Sequence, residues 1–524
     1  MNRIISLFHF FKKKPDSTIS VFDLTKLKWY FENNGTSGTY QVLTEQTCID
    51  LDFDEFFFRI NGTSSCVGQQ YLYDRLRRIP HKSEMEECDE IIQYLKNNTE
   101  LAARCRKHLS GLANDDAYYI CSLFHDNHPV LSPIIAQIIR ILQFMPLLFT
   151  AIFIVSPKAI LFLFIVGFFI TNMVFHYHNK HVLFVYLYSI PQFLKLVSIA
   201  EKLSAETSFD KIHHDIKKRL QSLQPLIRRL SRFKFDIKLE NDNAALPWGI
   251  KELVNIFFLS EPNILNRSFR LLDTKRADIE AVFAFVGCID MSLSTANLQK
   301  NLPYYCKPQW TDVGLKMTDV YHPLIEQCVV NTLDTAGKSV LLTGSNMSGK
   351  TTFIRIIALN MLSALTLDMC FARSFSGRRM RIHSAINLHD SLSESQSFYM
   401  KEVVTVKDML EESQRCENNL FVLDEIYKGT NTIERIAASK AVLSKLAENG
   451  NIVFASTHDI ELADLLAGEY ELYHFCEQIE QNRLHFDYLL KHGKLKHRNA
   501  IKLLEIEGYP ESVIIEANSI VGKF

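Results

Sequence analysis

Gly344-Ser345-Asn346-Met347-Ser348-Gly349-Lys350-Thr351 lies between Lys338-Ser339-Val340-Leu341-Leu342-Thr343, an apolar run of strand character, and Phe353-Ile354-Arg355-Ile356-Ile357-Ala358-Leu359, which reads as a buried helix. Strand, glycine-rich turn and helix form the context that a phosphate-binding loop requires. The glycines let successive backbone N–H groups turn inward, and the new helix adds its positive N-terminal end. The pattern predicts that Lys350 reaches the β- and γ-phosphates of a nucleotide. It also predicts that the Thr351 hydroxyl ligates Mg²⁺, with Thr352 closing the loop. Gly and Lys reach this spacing by chance in other loops, so the reading rests on the flanking elements.

Downstream, Leu420-Phe421-Val422-Leu423-Asp424-Glu425 is an apolar strand ending in two carboxylates. Acids ending a buried strand are costly without a metal or donor beside them. In phosphate-binding-loop enzymes an Asp there holds Mg²⁺, and an adjacent Glu can orient and deprotonate water. Ile452-Val453-Phe454-Ala455-Ser456-Thr457-His458 is a second such strand. Its position after the acid pair makes His458 a candidate to bond the γ-phosphate or the water.

The 524 residues suffice for two to four domains with a sizeable core. A net charge of −1 argues against coating nucleic acid by bulk charge, so any such contact must come from local patches. Eleven cysteines without a Cys-x-x-Cys pair suggest reduced thiols and no zinc ribbon. Met1 to Phe11, followed by Lys12-Lys13-Lys14, lacks the form of a signal peptide and reads as a short surface anchor or a solvated terminus.

Phe22 to about His125 reads as an α-rich region with solvated charges, among them Asp50, Asp52, Asp54 and Glu55. Helical periodicity runs from Cys66 to Arg78. Leu131 to Tyr177 differs. Ile141–Val155 and Ala159–Phe175 carry no charge and are separated by Ser156-Pro157-Lys158. Each run is a little short of the ~20 residues that cross a bilayer, although Ile134 to Ile139 extends the first. A membrane hairpin is expected, with a hairpin buried in the core as the alternative; Arg140, Gln137 and Gln143 weaken the first span. Lys180, His181 and later basic residues favour cytoplasmic ends. From His181 to Lys300 the pattern is helical, and Lys211 to Lys238 holds Lys217, Lys218, Arg219, Arg228, Arg229, Arg232 and Lys234. That run reads as a solvated helix face or as a phosphate-contacting surface.

From Tyr321 onward the chain resembles the ATPase domain of the MutS family of DNA mismatch-repair proteins, itself of the ABC type. The resemblance rests on motifs in order: Tyr321-His322-Pro323-Leu324, Thr343 to Thr352, Ser395-Gln396-Ser397-Phe398-Tyr399-Met400-Lys401-Glu402, Asp424-Glu425-Ile426-Tyr427-Lys428-Gly429-Thr430-Asn431-Thr432, and Thr457-His458-Asp459-Ile460-Glu461-Leu462. Gly508-Tyr509-Pro510-Glu511-Ser512-Val513-Ile514 is similar to the family's C-terminal dimerisation element. Asp50 to Arg78, with Gly68 and Leu72-Tyr73-Asp74-Arg75-Leu76, is more weakly similar to the start of its core and lever region.

The resemblance implies a dimeric Mg²⁺-dependent ATPase. Lys350 and the loop amides would bind ATP, Thr351 and Asp424 would hold the metal, Glu425 would act as base and His458 would sense the γ-phosphate. Ser397 would complete the partner's site in trans, and His322 and Pro323 would flank adenine. Ser345 and Ser348 replace the family's usual Pro and Gly at variable loop positions, and Cys328 stands where an aromatic often stacks on adenine. No mismatch-reading segment with a Phe-x-Glu wedge is read ahead of the core, so mismatch specificity is not expected. The expected architecture is an α/β ATPase domain over 301–524, a helical core at 1–130, a transmembrane hairpin at 131–180 and helical levers at 181–300. DNA held through phosphates, a homodimer through the ATPase domain and the cytoplasmic face of the inner membrane complete the expectation. The alternatives are an ATP-gated membrane scaffold or signalling protein with no DNA role, and a transport ATPase, for which two spans are too few.

Overall fold

A computed structural model describes residues 24–35, 38–128, 132–182, 184–206, 209, 215–231, 256, 268–345, 348–386, 398–480, 483–495 and 500–521. The N-terminal part is helical. Phe53–Ile60 buries Phe53, Phe56, Phe57 and Ile60 on one face, the spacing of an amphipathic helix. Helix α1, Cys66–Arg77, is capped by Ser65, whose hydroxyl accepts the Gly68 N–H at 2.9 Å.

The apolar segment forms an antiparallel pair of helices, α2 (Pro133–Val155) and α3 (Ala159–Val182), broken at Ser156-Pro157-Lys158. Phe149 meets Phe164 and Phe168 across the pair, with ring centroids 5.2 and 5.5 Å apart. Only 11% of the apolar window in each helix is buried, so the pair does not pack into the core. Helices α4 (Phe184–Leu203) and α5 (Ile216–Leu230) return to it, and α5 turns Ile216, Leu220, Leu223, Leu226 and Leu230 inward.

Helix α6, Arg276–Asn301, is also long and apolar enough to span a membrane, yet 83% of its apolar window is buried in protein. It packs on α1 at two glycines. A Cβ on Gly68 would lie 2.2 Å from Asp290 Oδ2, and one on Gly287 would lie 2.6 Å from Tyr71 Cβ. Asp290 uses this closeness: its carboxylate accepts the Ser64 and Ser65 N–H groups at 2.9 and 2.8 Å and the Ser65 hydroxyl at 2.5 Å. Burial nevertheless outweighs these bonds and pushes its carboxyl up to about 6.

The C-terminal part is a six-stranded sheet with helices. Its strands are β1 (Ser339–Thr343), β2 (Arg381–Ala385), β3 (Asn419–Asp424), β4 (Ile452–Thr457), β5 (Tyr470–His474) and β6 (Lys491–His492). They lie in the order β6-β5-β1-β4-β3-β2, parallel except for β6. Helices α7 (Lys350–Leu367), α8 (Phe398–Arg415) and α9 (Thr432–Leu446) follow β1, precede β3 and follow β3. A four-stranded sheet, Pro308–Trp310, Ser374–Gly377, Leu315–Val320 and Asn331–Asp334 in spatial order, stands beside it. The mixed α/β character expected for 301–524 and the helical character upstream are both present.

The two parts share one core. Residues from Leu43 to Ile79 lie in the same apolar cluster as α7 and the strands, with Phe56 set edge-on to Phe371 at 6.3 Å. The expectation of solvated charges in the N-terminal region is corrected here. Asp50, Arg75, Arg77 and Arg78 are buried, because they serve contacts between elements. Asp50 accepts the Ser384 hydroxyl at 2.7 Å and the Ile386 N–H at 3.0 Å. The Gln41 side-chain amide bonds both polar groups of Ile382, at 2.7 and 2.8 Å, and so covers the free edge of β2.

The glycine contact sets the spacing of α1 and α6. Gly287→Val is therefore expected to destabilise the fold by about 1–3 kcal/mol through overpacking. Gly468→Ala, where nothing lies within 4 Å of the added Cβ, should leave a denaturant melt unchanged. Equal midpoints for the two variants would show that the helices part without cost.

Candidate functional site

Parallel pairing brings three strand ends to one level. Thr457 is in register with Thr343, and Ser456 with Asp424. The turns leaving β1, β3 and β4 therefore open side by side at the carboxyl edge of the sheet, where ligands of such sheets bind.

The turn after β1 is compact. Gly344 has φ 152°, and a Cβ there would lie 2.7 Å from the Phe475 carbonyl and 2.9 Å from Ser348 Oγ. Gly349, at φ 101°, is in the left-handed region that a side chain disfavours. The Ser348 hydroxyl donates to the Ser345 carbonyl at 2.8 Å, and the Ser345 hydroxyl donates to Glu477 at 2.7 Å. Lys350 opens α7, and its buried ammonium donates to the carbonyls of Gly344 and Ser345 at 2.9 and 2.8 Å. Burial lowers its pKa, opposed by Glu425 and Asp424. Asn346 and Met347 lie outside the described residues.

The acid pair lies against this turn. The Thr351 hydroxyl donates to Asp424 Oδ2 at 2.7 Å, and the Ser456 hydroxyl donates to the other oxygen. Beyond Asp424 the backbone is strained: Glu425 and Tyr427 have φ of 48° and 63°. Non-glycine residues in that region cost roughly 1–3 kcal/mol each and persist only where their surroundings hold them. Here the Glu425 N–H donates to the Ser456 carbonyl at 3.0 Å. Glu425 Oε1 contacts His458 Nε2, and Oε2 lies 2.8 Å from Lys428 Nζ. Burial opposes ionisation of Glu425, but the bonds from His458 and Lys428 prevail and draw its carboxyl down to about 2. His458 Nδ1 is 2.9 Å from the Gly344 carbonyl, so one ring joins two of the turns. Asp459, the next residue, is clamped by Arg435 of α9 at 2.9 and 2.7 Å.

A cleft of about 490 Å³ opens above these groups. Gly349, Lys350, Thr351, Thr352 and Glu425 form its polar side, and Ile325, Cys328, Val329, Phe475 and Tyr488 its apolar side. Tyr488 holds its place because Asn331 grips its loop, donating to the Tyr488 carbonyl at 3.1 Å and accepting the Leu490 N–H at 2.7 Å. Sequence reasoning missed Tyr488 and Ile325, which no local signal marks. His322 and Pro323 do not line the cleft. His322 is buried behind it, accepts the Leu324 N–H at 3.2 Å, and has its pKa pushed down to about 4 by burial and by Arg355. Ser397 lies outside the described residues.

The model of the family described as MutS domain V matches residues 340–524. "MutS protein homolog 4" of Mus musculus is 31% identical over 252 residues, covering 45% of this chain and 26% of its own length. "DNA mismatch repair protein MutS" of Thermus aquaticus is 29% identical over 225 residues, covering 41% and 27%. The protein of that name from Clostridium tetani is 29% identical over 311 residues, covering 54% and 34%. The chain thus spans about a quarter to a third of the length of the relatives it matches. The glycine-rich turn, the acid pair and His458 all fall inside the matched stretch, and through that domain the chain is a member of the MutS family.

Proposed function

We propose that the chain is a Mg²⁺-dependent ATPase of the ABC type that works as a dimer, is tethered to the cytoplasmic face of the inner membrane by α2 and α3, and couples ATP to a mismatch-repair-related DNA role. The convergence of Lys350, the Thr351–Asp424 pair and the Glu425–His458 pair on one cleft carries this reading. The turn after β1 acts as the phosphate-binding loop, with its amides and Lys350 on the β- and γ-phosphates. The apolar wall of Ile325, Cys328, Val329 and Tyr488 takes the adenine, Tyr488 offering the ring that Cys328 lacks.

The hydroxyl of Thr351 and the carboxylate of Asp424 are hard oxygen donors that fit Mg²⁺. Such an ion neutralises phosphate charge when bound. Glu425, ionised and aimed by His458 and Lys428, orients the attacking water and takes its proton. His458, bonded to the Gly344 carbonyl, ties the position of that base to the phosphate loop. Glu425→Gln should retain ATP while slowing turnover by roughly 10²-fold or more, and Lys350→Ala should lose nucleotide binding. Wild-type turnover in the Glu425 variant would remove the assignment.

Exposed apolar side chains beside the site support the dimer. Tyr399, Met400, Val404 and Ile433 are 39%, 50%, 39% and 82% exposed, a patch suited to a second copy. Ser397, in the motif that leads into α8, is proposed to complete the partner's site.

The membrane reading rests on two helices whose apolar side chains face outward, such as Phe144, Ile154, Leu163 and Val174. Helices suit hydrocarbon because they satisfy their own backbone polar groups, and Pro146 is tolerated there. Exposed Arg140, near the start of α2, can extend its long side chain to the headgroups. The intact chain should stay with membranes through high-salt and carbonate washes. Deleting residues 131–177 should give a chain that still binds ATP without detergent. Purification of the intact chain without detergent would return the hairpin to a protein interface.

DNA contact is assigned to the basic face of α5, where Lys217, Lys218 and Arg228 are exposed. Arg232 lies outside the described residues. Binding through phosphates should fall steeply with salt and show little preference for a mismatch. Neutralising Arg228, Arg229 and Arg232 together should weaken it evenly across sequences. No binding to duplex, mismatched or branched DNA at low salt would favour the ATP-gated membrane scaffold instead.

A further inference from the structure

Helix α8 holds the turn after β3 from outside the cleft. Glu402, in its first two turns, is 3% exposed, although an unpaired carboxylate is costly to bury. Its Oε1 accepts the N–H of Tyr427, the second left-handed residue of the turn, while its Oε2 is buried without a hydrogen-bond partner among the described residues. Tyr399 reinforces the grip. Its ring meets that of Tyr427 edge-on at 6.3 Å, and its Cβ would lie 3.0 Å from a Cβ on Gly429. Lys428 in turn reaches Glu425 Oε2 at 2.8 Å. Glu402 does not line the cleft, so any effect it has on chemistry passes through the turn.

We infer that Glu402 is a positioning residue: its buried carboxylate fixes the left-handed turn of Glu425 to Lys428, and so aims Glu425 at the cleft. The inference rests on the reading of Glu425 as the hydrolytic base. It also makes α8, which begins one residue after Ser397, a mechanical link between the dimer-facing motif and the base of the same subunit. A carboxylate suits the task better than an amide, because either of its oxygens can accept the Tyr427 N–H and neither presents a donor to it.

The test uses the full-length protein and near-isosteric variants. Glu402→Gln should lower kcat by about 10- to 100-fold, the scale of a small misplacement of a reacting group, while KM for ATP and ADP affinity stay within about twofold because Lys350 and Thr351 are untouched. In a Glu425→Gln background the same substitution should change kcat by less than about twofold, since the group it aims is already gone. Glu402→Asp, which keeps the charge and shortens the reach, should fall between wild type and Glu402→Gln. Hydrogen–deuterium exchange of the 425–429 amides should quicken in Glu402→Gln with no nucleotide added. That measurement reads the tie even if the wild-type chain hydrolyses no ATP, which would defeat the ATPase reading alone. Unchanged kcat in Glu402→Gln, a full loss repeated on top of Glu425→Gln, or unchanged exchange of those amides would each overturn the inference.

Discussion

The register of the parallel strands is the constraint on which the site depends. β1, β3 and β4 are buried along their length, and their pairing sets Thr343 level with Thr457 and Asp424 level with Ser456. A slip of one residue would turn every side chain of a strand to the other face. Asp424 would then lose both hydroxyl donors, Thr351 from α7 and Ser456 from β4. His458 would no longer bridge the Gly344 carbonyl and Glu425. Apolar burial on both faces fixes the register, so the forces that form the core also set the spacing of the polar groups.

The same economy joins the helical part to the sheet. Asp50 bonds β2 and the residue after it, Asp52 pairs with Arg355 of α7 at 2.6 Å, and Phe56 enters the core beside Phe371. A displacement of the N-terminal helices is therefore felt at α7, whose first residues are Lys350 and Thr351. On the other side, Gly68 and Gly287 let α6 approach α1 closely enough for Asp290 to cap the Ser64–Ser65 turn. A long buried helix with little polar surface makes the helical part a stiff body, because close-packed interiors transmit displacement rather than absorb it.

Hydropathy alone did not separate the helices that pack from those that face outward. The apolar windows of α2 and α3 have mean hydropathy 2.2 and are 11% buried, whereas that of α6 has 1.5 and is 83% buried. All pass the length and composition test for a membrane span. What distinguishes α6 is its small and polar residues, Gly287, Asp290, Ser292 and Ser294, each with a place in the helical core. The hairpin instead offers phenylalanine, leucine and isoleucine around its circumference, a surface that water does not favour.

What the sequence determined by itself was local. Glycines at 344 and 349 between an apolar strand and an apolar helix specify the turn, because few residues tolerate those backbone angles. Two acids closing an apolar strand mark a polar site, and Ser156-Pro157 breaks the hairpin where the helices end. The tertiary structure decided the rest. It turned His322 away from the cleft and brought Tyr488 to it through Asn331, more than a hundred residues away in the chain. It also made buried ties of Asp50, expected as a solvated charge, and of Glu402, a motif residue to which the sequence assigned no role. Backbone angles and periodicity depend on neighbours in sequence, so they can be read from it. Which distant side chains meet depends on strand register and helix approach, and those are fixed only when the whole core closes.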